Sequence, residues 1–193
     1  MYGICADPLP GLVRISATSI DNSEDIKAVS AVCPTGKKVV GTGFSVVHGK
    51  GQVSIDSVRF LHFDPVPNQV HVRAHEVDLL YGSWIVYAFA ICATPPAGLQ
   101  VYSAGLSSEP DGNTGTTVVA PCPPGKGMLG AGFRTEADIP YPDVVVDNVL
   151  DDFTPNGGTT TAPTSVKVTH YEEDSPTSFW QTTAYAICAS LWK

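Results

Sequence analysis

Three histidines and an arginine open the chemical reading. His71, Arg73 and His75 fall at every second residue of QVHVRAHEVD (69–78), and His62 lies on the stretch before. In an extended strand the first three share one side. Three imidazoles with an open position form the donor set of a catalytic zinc. Two histidines four residues apart on a strand are about 13 Å apart, too far for one ion, so a solvated polar face is the better expectation. Acids recur too. Asp56 and Asp147 each follow an alternating Val/Ile run, and Glu76 with Asp78, like Glu172 with Asp174, precede a tryptophan. Hard oxygen donors suit calcium. Asp147, Asp151 and Asp152, with Asp143 nearby, make the better calcium candidate; capping of turn amides is the plainer role. Trp84 and Trp180 open two apolar stretches. They read as core anchors or, with Tyr81, Tyr87, Tyr171 and Tyr185, as an aromatic platform for a sugar ring.

No enzyme motif accompanies these residues. The chain lacks the G-x-S-x-G of serine hydrolases. Its GKK and GKG strings lack the full phosphate-loop pattern and the strand-loop-helix context that such a loop needs. A hydrolase would need two carboxylates facing across a cleft, here between the two halves of the chain, and nothing in the sequence fixes such a pair.

The elements that must carry these groups are strands. Of 193 residues, 43% are hydrophobic and only 16% charged, with 18 Gly and 16 Pro. That composition suits many strands joined by many turns. Val70, Val72 and Ala74 alternate with His71, Arg73 and His75 as in a half-buried strand. Pro and Gly gather between such runs, as in DPVPN (64–68) and EPDGNTG (109–115). Net charge is −8. Residues 1–96 carry seven Lys/Arg against eight Asp/Glu, and residues 97–193 carry four against eleven. A nucleic-acid-backbone binder needs the opposite sign, and so does a protein held on anionic lipid. No apolar stretch is long enough for a membrane-spanning helix. The opening MYGICADPLPG lacks the basic start and apolar core of a signal peptide.

The chain is written twice. AVCPTGKKVVGTGF (31–44) matches APCPPGKGMLGAGF (120–133), and VSIDSV (53–58) matches VVVDNV (144–149). QVHVRAHEVD (69–78) matches SVKVTHYEED (165–174), and WIVYAFAICA (84–93) matches WQTTAYAICA (180–189). The order is kept while the offset grows from 89 to 96, as expected for a duplication with small loop insertions. YGICADPLPGL (2–12) resembles the end of the first copy, so the chain begins with an additional strand. The division expected is 1–96 and 97–193; a second cut begins each unit at its YGICA or YAICA strand. The fold class expected is all-β, two pseudo-symmetric antiparallel units, built as tandem sandwiches or one fused prism-like body.

The cysteines follow the repeat. Cys33 matches Cys122, and Cys5, Cys92 and Cys188 match one another. A repeating pairing is either Cys33–Cys92 with Cys122–Cys188, leaving Cys5, or Cys5–Cys33 with Cys92–Cys122, leaving Cys188. The first keeps each bridge within a complete unit and is preferred. Disulfides place the chain in an oxidising, secreted or cell-surface setting.

The paired blocks CPxGKxVxGxGF and W…YAICA, which cover nearly the whole chain, resemble repeats of small secreted proteins of Gram-positive bacteria, especially actinobacteria. CPTGKKVVGTGF (33–44) and CPPGKGMLGAGF (122–133) bear a fainter resemblance to the vitelline-membrane outer-layer protein, which implies a disulfide-bonded β-prism of three sheets. That family has three shorter repeats where this chain has two long ones. Neither resemblance carries an activity or a functional residue.

The function expected is a non-enzymatic extracellular module, lectin-like, that binds glycan or another surface polymer through aromatic edges. Its two copies would carry two like sites and gain effective concentration. The rival is a structural or protein-binding role in an envelope or assembly. Exposed tryptophans beside a groove favour the first; buried tryptophans with an apolar patch favour the second.

Overall fold

A computed structural model describes residues 8–63, 66–108, 116–137, 144–152, 163–172 and 180–190. Twelve strands form in order: Val13–Thr18 (β1), Ile26–Val32 (β2), Lys38–Val47 (β3), Val53–Phe63 (β4), Pro67–Glu76 (β5), Ile85–Ala93 (β6), Gln100–Ser108 (β7), Thr116–Pro121 (β8), Lys126–Ala137 (β9), Val144–Asp152 (β10), Ser165–Glu172 (β11) and Trp180–Ser190 (β12). No helix occurs among the described residues, so none is long and apolar enough to cross a membrane.

The strands make three sheets that pack as a sandwich-like body: β1-β6-β3, β10-β11-β8 and the six-stranded β2-β5-β4-β9-β12-β7. Every pairing is antiparallel. Adding six to each number turns β1-β6-β3 into β7-β12-β9, one half of the long sheet. The other half, β2-β5-β4, becomes β10-β11-β8 read backwards. Local hydrogen bonds recur at the same offsets. Lys37 N–H donates to Pro34 O at 3.0 Å and Lys126 N–H to Pro123 O at 3.1 Å, closing the two Cys-Pro-x-Gly turns. Cys33 N–H donates to Asn68 O and Cys122 N–H to Thr164 O.

Bulges recur as well. Asp56 is the extra residue between Ile55 and Ser57 where β4 meets β5, and Asp147 holds the same place between Val146 and Asn148 where β10 meets β11. An extra residue re-aims its neighbours and bends the strand.

Alternation builds the core. On β5 the inward residues are Val70, Val72 and Ala74, and on β6 they are Val86, Ala88, Ala90 and Cys92, all fully buried. The bridges are Cys33–Cys92 and Cys122–Cys188, each tying a sheet to the one it faces. They close loops of 59 and 66 residues, so each removes unfolded-state entropy. Loop-closure arithmetic puts that at about 4 kcal/mol per bridge. Cys5 lies outside the described residues.

The two halves of the long sheet meet where β4 pairs with β9, over only two residue pairs, Ser57 with Arg134 and Val58 with Phe133. Glycines allow the close approach. A Cβ on Gly132 would collide with the Val58 carbonyl oxygen, and one on Gly130 would come within 2.9 Å of Gly41 Cα. Beside it Thr42 Oγ1, on β3 like Gly41, donates to Ala131 O of β9 at 2.5 Å.

Candidate functional site: two sheet faces

Both tryptophans sit inside. Trp84 has no exposure and Trp180 only 3%. The Trp84 indole N–H donates to Glu76 Oε1 at 2.8 Å, and the Lys27 ammonium lies 4.5 Å from its ring centroid. Lys27 also donates to the carbonyls of Ile20, Asn22 and Trp84. Burial lowers the Lys27 pKa, with Asp21, Glu24 and Glu76 working the other way. Trp180 meets His170 edge to face, at 4.1 Å between ring centroids. Neither ring nitrogen of His170 has a hydrogen-bond partner among the described residues. Desolvation pushes its pKa down to about 4. With so little surface showing, neither indole offers a face to a ligand; both act as core anchors.

The aromatic surface lies on the outer face of β1-β6-β3. Tyr87, Phe89 and Ile91 alternate with the buried Ala88, Ala90 and Cys92, so all three point outward and are half-buried. The Tyr87 and Phe89 rings are parallel, 6° between planes and 6.2 Å between centroids. Register sets small polar neighbours beside them. Thr18 and Ser45 flank Tyr87, Ser16 and Gly43 flank Phe89, and Arg14 and Gly41 flank Ile91. The Arg14 guanidinium stands 5.3 Å from the Phe89 ring centroid. The result is an apolar stripe one strand wide between rows of hydroxyls and glycines.

The second copy does not repeat this surface. Thr183, Tyr185 and Ile187 hold the places of Tyr87, Phe89 and Ile91. Tyr185 is half-buried and meets Phe60 of the first half edge-on, at 6.3 Å. Ile187 is fully buried, and its cross-strand partner Gly130 presses on Gly41. The expectation of two like sites therefore fails for this face, because the second copy uses it to join the halves.

A polar cluster gathers at the same junction. His71, Arg73 and His75 do share one side of β5; His71 meets Ser30, while Arg73 and His75 share Asp56. Ser30 Oγ lies 3.0 Å from His71 Nδ1. Asp56 Oδ2 lies 3.2 Å from His75 Nδ1 and 3.2 Å from Arg73 Nη1. Burial lowers the His71 pKa; the Arg59, Arg73 and Arg134 guanidiniums add to that and Asp56 opposes it. Arg134 pairs with Glu136 on β9. No group of three or more His, Cys, Asp or Glu among the described residues could hold a metal. Arg59 and Arg134 carry no sequence signal of their own; the β4–β5 pairing sets Arg59 opposite His71, and the β4–β9 pairing brings Arg134 to the other side of Ser57 from Arg73. Asp147, Asp151, Asp152, Tyr171 and Glu172 lie on β10 and β11, and their side chains, like that of His62, lie outside the described residues, as do Asp143 and Asp174 entirely.

At the far end, the segment after β5 projects apolar side chains. Leu80 is buried, and its amide donates to Glu76 Oε2 at 3.2 Å. On either side of it Leu79 is 68% and Tyr81 80% exposed. The chain matches no protein-family model and no curated protein.

Proposed function

We propose that this chain is a non-enzymatic, extracytoplasmic binding module, built from one β unit duplicated at about 1–96 and 97–193, that holds a glycan chain against the outer face of β1-β6-β3. The observation that carries this reading is the stripe of Tyr87 and Phe89, parallel and outward-facing, flanked by Ser16, Thr18, Ser45 and two glycines. Aromatic faces attract the apolar faces of sugar rings, and short hydroxyl side chains bond the sugar hydroxyls without blocking access. The glycines keep one flank low. Disulfides in both halves support an oxidising compartment. The resemblance to small secreted actinobacterial repeat proteins points the same way.

Affinity electrophoresis through gels cast with neutral and acidic polysaccharides, with calcium and with chelator, tests the reading. Retardation by at least one polymer is expected, and Tyr87→Ala with Phe89→Ala should abolish it while the melting temperature holds. Migration identical to that in blank gels, for every polymer and both conditions, would remove the glycan reading.

An assembly role is the second reading, favoured by the buried tryptophans together with the exposed Leu79 and Tyr81. It predicts a concentration-dependent rise in mass by light scattering that Leu79→Ser with Tyr81→Ser removes.

A further inference from the structure

The chain has four arginines and a net charge of −8, yet three of the four, Arg59, Arg73 and Arg134, converge on the β5-β4-β9 junction. Ser57 lies directly between Arg73 on β5 and Arg134 on β9. Two inter-strand spacings put those arginines about 10 Å apart at Cα, so their guanidiniums can reach toward each other above Ser57. Their side chains are about one-third exposed, 37% for Arg73 and 35% for Arg134. Beneath them Asp56 and Ser57 are buried, at 3% and 4%. The charged and titratable groups here are three guanidiniums, the carboxylates of Asp56 and Glu136, and the imidazoles of His71 and His75.

Three buried polar atoms within four residues of β4 have no hydrogen-bond partner among the described residues: Asp56 Oδ1, Ser57 Oγ and Arg59 Nε. Buried polar atoms are normally paired, so such a concentration calls for an explanation. The three differ in kind. Ser57 Oγ and Arg59 Nε have hydrogens to donate, while Asp56 Oδ1 can only accept. A bare anion would satisfy the donors and leave Asp56 Oδ1 as it is. A ligand bearing both an oxyanion and an adjacent hydroxyl would satisfy all three.

We propose that this junction is a binding site for an acidic sugar, whose carboxylate lies between the guanidiniums of Arg73 and Arg134 over the Ser57 hydroxyl and whose ring hydroxyl donates to Asp56. Arginine suits this task, because its planar fork matches a carboxylate with two parallel hydrogen bonds. The guanidinium field felt at His71 is the same field that would draw the carboxylate in. The site shares no residue with the Tyr87–Phe89 stripe, so either can fail without the other.

Titration calorimetry of the whole chain with polygalacturonate, dextran sulfate and neutral dextran tests the assignment. Polygalacturonate is expected to bind and neutral dextran not to bind at this site. Arg134→Ala, which removes a rim side chain, should weaken polygalacturonate at least tenfold, and Ser57→Ala at least threefold, with melting temperatures checked beside each. Arg134→Lys should recover part of the loss, and Lys167→Ala, on the exposed side of β11, should change nothing. Equal losses in Arg134→Ala and Lys167→Ala would overturn the site. Dextran sulfate binding as tightly as polygalacturonate, with Ser57→Ala silent, would reduce it to general charge attraction and overturn the acidic-sugar assignment.

Discussion

Strands β6 and β12 are the same strand written twice, and they do different work. Both turn alanines and a bridged cysteine inward, Ala88, Ala90 and Cys92 against Ala184, Ala186 and Cys188, all fully buried. Their other faces diverge. β6 turns Tyr87 and Phe89, half-buried, to the outer face, with Ile91 beside them packed against the core, whereas β12 lies inside the six-stranded sheet, with Tyr185 against Phe60 and Ile187 fully buried. The tryptophans at the head of these two strands diverge in company too: Trp84 keeps a caged ammonium and Trp180 a neutral imidazole. The matched strands keep what faces the core and differ in what faces outward or meets a polar neighbour. One copy is thereby free to present a surface while the other holds the halves together.

Several measurements would break or sharpen that contrast. The bridges should behave alike, since both copies kept them. Removing either pair, as Cys33→Ala with Cys92→Ala or Cys122→Ala with Cys188→Ala, should cost about 4 kcal/mol in denaturant unfolding. A several-fold inequality would mean that the halves are not stabilised as like units. The tryptophan sites should behave differently. Lys27→Met removes a donor from three carbonyls, of which Asn22 O keeps the Trp84 N–H, and should cost about 3 kcal/mol, with little change between pH 5 and pH 7.

His170 should make the second half acid-sensitive. Its folded pKa lies below the unfolded value near 6.5, so the unfolded chain binds more protons between the two. The stability it contributes is complete above about pH 6.5 and falls as the pH drops toward 4, by about 2 kcal/mol at pH 5. Unfolding curves at pH 7 and pH 5 should show this difference, and His170→Phe should remove its share while leaving that of His71, whose pKa is lowered too. A wild-type profile that is already flat would contradict the buried neutral imidazole.

The smallest contrast is between matched glycines. Gly132→Ala drives a methyl into the β4 backbone and should cost about 2 kcal/mol. Gly43→Ala, at the same place in the first copy, meets Phe89 at an ordinary 3.5 Å and should stay within about 0.5 kcal/mol. Equal costs would deny that only the second copy is pressed at the junction.

Much of the fold was legible in the sequence because it rests on local signals. The strands lie on the Val, Ile, Phe, Tyr and Thr-rich runs that turn residues set apart. The matched Cys33 and Cys122 lead to the pairing found. What could not be read depends on which strands become neighbours. The β4–β9 contact is only two residue pairs long, so nothing in either stretch announces it, and Arg134 has no reason to meet Arg73 until it forms. The burial of Trp84 depends on Lys27 and Glu76 reaching it from β2 and β5. The aromatic stripe did leave a sign in YAFAICA (87–93). Alanine at every second position marks the side pressed against another sheet, and the larger Tyr87, Phe89 and Ile91 then belong outside. Size there runs against the usual rule that the bulkiest apolar residues face in.

Under the proposed function one outward face, and not a matched pair, carries glycan recognition. Amide chemical-shift mapping with an oligosaccharide of the polymer that retards the protein tests it most directly. The account predicts shifts concentrated at Ser16, Thr18, Gly43, Ser45, Tyr87 and Phe89, with Thr183 to Ile187 unmoved. Equal shifts along β6 and β12, or shifts centred on Trp84 and Trp180, would contradict it.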